Sequence, residues 1–286
     1  MTIRDILFSA TACALVAASP TAAQNAERAT ETSAPAKPNK IILVGDSTTA
    51  TANGWGPAFC SRHVTHPTPC LNLARNGRSS GSFRAEGLWD IARGEMQVEG
   101  YDHVFVLIGF AHNDQPGKPG RSTDLETEFP ANMRRYVEEA RAAGAVPILF
   151  TPLTRRQFED GELDDDLGPW VAAIERVAAE TGAPLIDLNG RSRAIIAALG
   201  PSLANLTAEA PPSAAIAAAA AIEGETLPSA TGRPVLPEEG ASDRIDWRNP
   251  LFDYTHLGEF GAELFAAVIA AELVRLVPDI RPLVRP

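Results

Sequence analysis

Residues 41–47 read Ile-Ile-Leu-Val-Gly-Asp-Ser, an apolar run that ends on a glycine, a carboxylate and a hydroxyl. A serine hydroxyl such as that of Ser47 is a poor nucleophile until a base takes its proton. Five histidines are available for that task. His63 and His66 lie between two cysteines, and His103 begins a strand at the end away from Ser47. His112 follows that strand and is a second candidate base. His256 has an acid three residues before it, in Asp253-Tyr254-Thr255-His256. Within one turn the Asp253 carboxylate can hold one ring nitrogen and leave the other for Ser47. An isolated pair of this kind is commonly a cap or a surface ion pair, so it gains weight from its company. Acyl transfer also needs donors for an oxyanion. Three are available: the Ser47 N–H at a strand-to-helix turn, the Gly77 N–H in "NLARNGRSS", and the Asn113 amide in "HND". Asp46 is expected to brace its turn through backbone amides, and Gly45 to let the chain turn sharply.

These groups have to be carried by a scaffold. Short apolar strand patterns occur at 41–44, 71–74, 103–109, 146–151 and 184–188. Helical periodicity lies between and after them, at 129–143, 169–181 and 258–277, and Gly144 and Gly182 follow the first two as stop signals. Strands alternating with amphipathic helices predict one α/β domain, a three-layer α/β/α sandwich on a central parallel sheet, over residues 39–280. In such sheets ligands bind beyond the carboxyl ends of the strands, where Ser47, Asn113 and Thr151 fall. Residues 201–250 break the pattern with an Ala- and Pro-rich insertion, in which the alanine-rich 213–225 favours a short helix.

The chain has 286 residues, enough for one large domain, with 45% hydrophobic and 21% charged residues. Its formal net charge of -11 argues against nucleic acid as a partner. Residues 1–23 read as a signal peptide: Arg4, then an apolar run too short to span a bilayer easily, then small residues suited to cleavage. Residues 24–38 read as a linker without apolar period, and no later segment reads as a membrane anchor. The expected location is periplasmic or secreted. Cys60 and Cys70 form an even pair in an exported chain and predict a disulfide, since their spacing with His63 and His66 fits no common zinc pattern.

Taken together, "GDST" (45–48), "NLARNGRSS" (72–80), "HND" (112–114) and "DYTH" (253–256) resemble the SGNH (GDSL-type) hydrolases in order and spacing. "GWGPAF" (54–59), "TPLTRRQFEDG" (151–161) and "THLGEFGAELFA" (255–266) narrow the resemblance to the bacterial rhamnogalacturonan acetylesterases. The resemblance covers residues 40–275 apart from the insertion. It implies a flavodoxin-like SGNH fold and a serine esterase that removes acetyl groups from a plant cell-wall polysaccharide. It implies Ser47 as nucleophile, His256 as base, Asp253 as its orienting acid, and Ser47, Gly77 and Asn113 as the oxyanion hole, with no metal or cofactor. Arg78, Arg155 and Arg156 are candidate binders of a sugar carboxylate. The chain departs from the family's pattern at Ala111, where a glycine is usual, and at Gly81, where a basic residue is frequent. Other readings are an SGNH esterase of different specificity (acetylxylan esterase, lipase or thioesterase) and a non-catalytic carbohydrate-binding protein. An α/β-hydrolase is disfavoured because Ser47 does not sit in G-x-S-x-G.

Overall fold

The computed structural model describes residues 37–228 and 251–286. The expected signal peptide, most of the expected linker, and residues 229–250 of the insertion lie outside the described residues. Five strands form the central sheet: β1 (Lys40–Gly45), β2 (Cys70–Asn72), β3 (Val104–Gly109), β4 (Val146–Phe150) and, after a small hairpin of β5 (Phe158–Glu159) and β6 (Glu162–Leu163), β7 (Leu185–Ile186). Their order is β2-β1-β3-β4-β7 and every pairing is parallel. β1 and β3 pair along their whole length, from Lys40 opposite Val104 to Gly45 opposite Gly109.

Side chains alternate across the sheet, so each central strand feeds two cores. Ile42, Val44, Val106 and Ile108 face one core. Helices α1 (Leu88–Met96), α2 (Glu128–Ala142) and α3 (Gly168–Thr181) complete it with Trp89, Met133, Val137 and Ile174. Ile41, Leu43, Phe105 and Leu107 face the other. There α4 (Leu188–Ala204) and α6 (Glu259–Leu276) supply Ile196, Phe265, Ile269 and Leu273. Helices thus cover both faces, which is the three-layer α/β/α arrangement. Each large apolar side chain withdrawn from water contributes about 1.5–3 kcal/mol. The central strands, buried on both faces, are therefore the rigid base of whatever lies at their ends.

Two strands are shorter than the apolar pattern predicts, for local reasons. Asn72 ends β2 because its Oδ1 accepts the Ala74 N–H and its Nδ2 donates to the Thr49 carbonyl. Asp187 ends β7 because its carboxylate accepts the Gly190 N–H and so caps α4. Within the described part of the insertion, α5 (Ala214–Ile222) forms behind Ser213, whose hydroxyl accepts the Ile216 N–H. Cys60 and Cys70 are joined by a disulfide that ties the segment after Trp55 to the start of β2. Among the described residues no helix is long and apolar enough to cross a membrane.

Candidate active site

Ser47 follows β1 by two residues and is buried, with 5% of its surface exposed. Asp46 organises the turn. Its Oδ1 accepts the Thr48 N–H (2.9 Å) and hydroxyl (2.8 Å), and its backbone carbonyl accepts the Thr49 and Ala50 N–H groups. Gly45 differs from expectation. It keeps extended strand pairing, and glycine is needed there for space, since a Cβ would lie 2.9 Å from the Gly109 carbonyl oxygen and 3.1 Å from Thr49 Oγ1. Among the described residues, neither the Ser47 hydroxyl nor its N–H has a hydrogen-bond partner.

The segment 253–256 is a tight turn ahead of α6. Asp253 Oδ1 accepts the Thr255 N–H (2.8 Å) and the His256 N–H (2.7 Å), while Oδ2 lies 2.5 Å from His256 Nδ1. Burial alone would raise the Asp253 carboxyl, but the His256 ring and these backbone donors hold it well below the usual carboxylate range. A carboxylate beside Nδ1 fixes that nitrogen as the protonated one and leaves Nε2 as the lone-pair nitrogen. Nε2 has no partner among the described residues. One hydrogen bond ties the residue after this turn to the segment after Ser47: the Leu257 N–H donates to the Asn53 carbonyl (3.0 Å). The Asp46 and Asp253 charges both act on the buried Arg155 guanidinium.

His112, the other candidate base, is closed off. Its Nδ1 lies 3.2 Å from Asp46 Oδ2 and its Nε2 lies 2.9 Å from the Leu153 carbonyl, so neither nitrogen is open to Ser47. Burial would raise Asp46, and His112 together with Thr48 brings it below its ordinary value instead. The pair braces the Ser47 turn against the β3 and β4 loops.

The remaining donors come from two loops locked together. Gly77 has φ 76°, in the left-handed region that glycine enters without strain, and its N–H has no acceptor among the described residues. Asn113 Nδ2 donates one hydrogen to the Arg78 carbonyl (3.1 Å), which orients the amide and leaves its second hydrogen uncommitted. Asp114 draws the loops together. It accepts the Ser80 N–H (3.0 Å), the Ser80 hydroxyl (2.6 Å) and the Thr123 hydroxyl (2.9 Å), while the Tyr136 hydroxyl donates to the Ser80 carbonyl. Burial pushes the Asp114 carboxyl up to about 7 against these donors.

The three arginines are engaged inside the protein. Arg78 pairs with Glu86 (2.7 Å) and donates to the Asn76 carbonyl. Arg155 pairs with Asp166, donates to Gln115 Oε1 (2.8 Å) and reaches Thr255 Oγ1 (3.3 Å). Arg156 is only 2% exposed, and its guanidinium donates to backbone carbonyls of the 253–256 turn, so it does not meet a ligand. Sequence reading overlooked Lys118, whose ammonium donates to the His112 carbonyl and is pushed down to about 8 by burial and nearby arginines. Its loop, "QPGKPGRS", carries no local signal that it folds back onto the site. Among the described residues, no group of three or more His, Cys, Asp or Glu side chains is placed to hold a metal.

Comparison with known proteins matches residues 43–211 to the GDSL-like lipase/acylhydrolase family. That match includes Ser47, Gly77 and Asn113 and stops short of Asp253 and His256. A probable rhamnogalacturonan acetylesterase of Bacillus subtilis is 35% identical over 169 residues, spanning 57% of this chain and 76% of the relative. A rhamnogalacturonan acetylesterase of the same organism is 34% identical over 174 residues, spanning 58% and 71%. Among solved structures, an acetylxylan esterase from Geobacillus stearothermophilus superposes with a TM-score of 0.51 at 16% identity, over 83% of this chain and 95% of the other. The YxiM protein of Bacillus subtilis superposes with a TM-score of 0.57 at 23% identity; the match takes in 84% of this chain but 57% of that one. At these identities the structural likeness speaks for the fold.

Proposed function

The chain belongs to the GDSL-like lipase/acylhydrolase family and is a carboxylic ester hydrolase, and from that premise we propose that it is an exported esterase removing acetyl groups from a pectic polysaccharide of the rhamnogalacturonan type. The observation that supports this mechanism is the Asp253–His256 contact of 2.5 Å, which leaves His256 Nε2 without a partner among the described residues. His256 Nε2 takes the proton of the Ser47 hydroxyl as Oγ attacks the acetyl carbonyl carbon. The oxyanion that forms accepts from the Ser47 N–H, the Gly77 N–H and the free hydrogen of Asn113 Nδ2. These donors are held before the reaction begins, so little reorganisation is needed as charge develops. Collapse breaks the C–O bond to the sugar, and the proton on His256 passes to the departing sugar oxygen. Water, deprotonated by the same nitrogen, then attacks the acetyl-enzyme and releases acetate with return of the proton to Ser47.

The two acetylesterase relatives support the polysaccharide as substrate, and the Cys60–Cys70 disulfide supports export into an oxidising compartment. The test is acetate release from acetylated rhamnogalacturonan beside acetylated xylan, with the native protein and Ser47→Ala. Release from the pectic polymer alone, lost in Ser47→Ala with the fold intact, is the expected result. Release from xylan instead overturns the substrate and keeps the chemistry. Undiminished release by Ser47→Ala overturns the nucleophile.

A further inference from the structure

Arg156 reads in the sequence as a ligand for an anionic sugar, or else as ordinary surface charge or a structural pairing. The structure puts it elsewhere. Its guanidinium is fully enclosed, and Nη2 donates to the Asp253 carbonyl (2.8 Å) and to the His256 carbonyl (2.8 Å). Its own backbone N–H donates to the Tyr254 carbonyl (2.9 Å). The neighbouring Arg155 reaches Thr255 Oγ1 (3.3 Å). Two consecutive arginines therefore give a hydrogen bond to each of the four residues 253–256. Among the described residues Arg156 has no carboxylate within ion-pair distance, and its Nε is buried without an acceptor. A cation enclosed with no ion pair is costly, and the carbonyls of this turn, with the Asp253 charge nearby, are what favour it there.

From this geometry we infer that Arg156 is the positioning residue of the Asp253–His256 turn: one nitrogen bridges the first and last carbonyls and fixes the direction in which His256 Nε2 points. The inference rests on the esterase reading for its kinetic consequence and not for its structural one. A backbone free to rotate at residue 253 or 256 swings the imidazole about its own Cα. A displacement on the order of 1 Å at a reacting group costs roughly 10²-fold in rate. Lysine carries the charge and also donates, but its ammonium is a compact point donor on a different stem and lacks the planar fork, so it is expected to restore the bridge in part.

The test compares Arg156→Met and Arg156→Lys with the native protein. The expected result on 4-nitrophenyl acetate is a kcat loss of roughly 10²-fold in Arg156→Met. KM should stay within about threefold, because no substrate contact is removed. Arg156→Lys should recover part of that loss and stay below the native kcat. A second readout needs no substrate. In the native protein the proton between Asp253 and His256 Nδ1 should give a far-downfield proton resonance, and Arg156→Lys should shift or broaden it while the thermal transition remains cooperative. A folded Arg156→Met with native kcat overturns the proposal, as does a change confined to KM. If Arg156→Met fails to fold, an unmoved resonance together with native kcat in Arg156→Lys overturns it. If no variant, nor the native protein, hydrolyses any ester, the esterase reading fails and the resonance alone decides on Arg156.

Discussion

Replacing Asp253 by asparagine isolates the chemistry of the turn from its architecture. In the native protein Asp253 Oδ1 accepts two backbone N–H groups, at 2.8 Å and 2.7 Å, and Oδ2 faces His256 Nδ1 at 2.5 Å. Asparagine keeps Oδ1 and both backbone bonds. It replaces Oδ2 with an N–H₂ group, which donates and cannot accept. The imidazole then turns its lone pair to Nδ1 and carries its proton on Nε2, the nitrogen that accepts from Ser47 in the proposed mechanism. The same carboxylate-to-amide change in a serine protease triad lowers kcat by ~10⁴-fold through the wrong tautomer. At about 1.36 kcal/mol per tenfold, that is about 5.4 kcal/mol of barrier. Asp253→Ala is the contrasting variant. It removes the acceptor of both N–H groups, each costing about 1–3 kcal/mol if left unpaired, so stability falls along with activity. Steady-state kinetics on 4-nitrophenyl acetate with calorimetric melting of both variants reads the two effects separately. Asp253→Asn with kcat within tenfold of the native value refutes the assignment of Asp253 as the group that sets the His256 tautomer.

Two further outcomes concern the loops of the proposed oxyanion hole. Asn113→Ala should lower kcat by ~10²–10³-fold, the scale of one lost oxyanion donor, and an unchanged kcat would remove Asn113 from the hole. Asp114, with its carboxyl pushed up to about 7 from the ordinary 3.8, stabilises the fold when protonated. That contribution is complete below pH 3.8 and is lost as pH rises through about 7, at up to about 1.4 kcal/mol per pH unit. Asp114→Asn imitates the protonated acid, so its melting temperature should fall less than that of the native protein between pH 4 and pH 8. Parallel pH curves for the two proteins would contradict this reading of Asp114.

The parts of this architecture that are short in sequence were legible before the structure. β1 and β3 announce themselves as apolar runs, and Asp253 and His256 lie close enough in the chain for their spacing to carry the contact. The long-range contacts were not legible. Arg156 meets Asp253 across 97 residues, and nothing in "TPLTRRQF" separates a buried arginine from a surface one. His112 looks like a free base until the Leu153 carbonyl, 41 residues on, occupies its Nε2. Asp114 looks like the tail of an "HND" motif until Ser80, 34 residues earlier, donates to it. Glycine misled in a smaller way. Gly45 reads as a turn residue, yet it is there because the Gly109 carbonyl passes too close for a Cβ.

The most direct measurement is to treat the protein with a fluorophosphonate, map the adduct by peptide mass spectrometry, and follow acetate release from acetylated rhamnogalacturonan as labelling proceeds. One adduct per chain is expected, on Ser47, with acetate release falling in proportion to labelling and no adduct in Ser47→Ala. Acetate release that persists in fully labelled protein, or an adduct on a residue other than Ser47, would contradict that expectation.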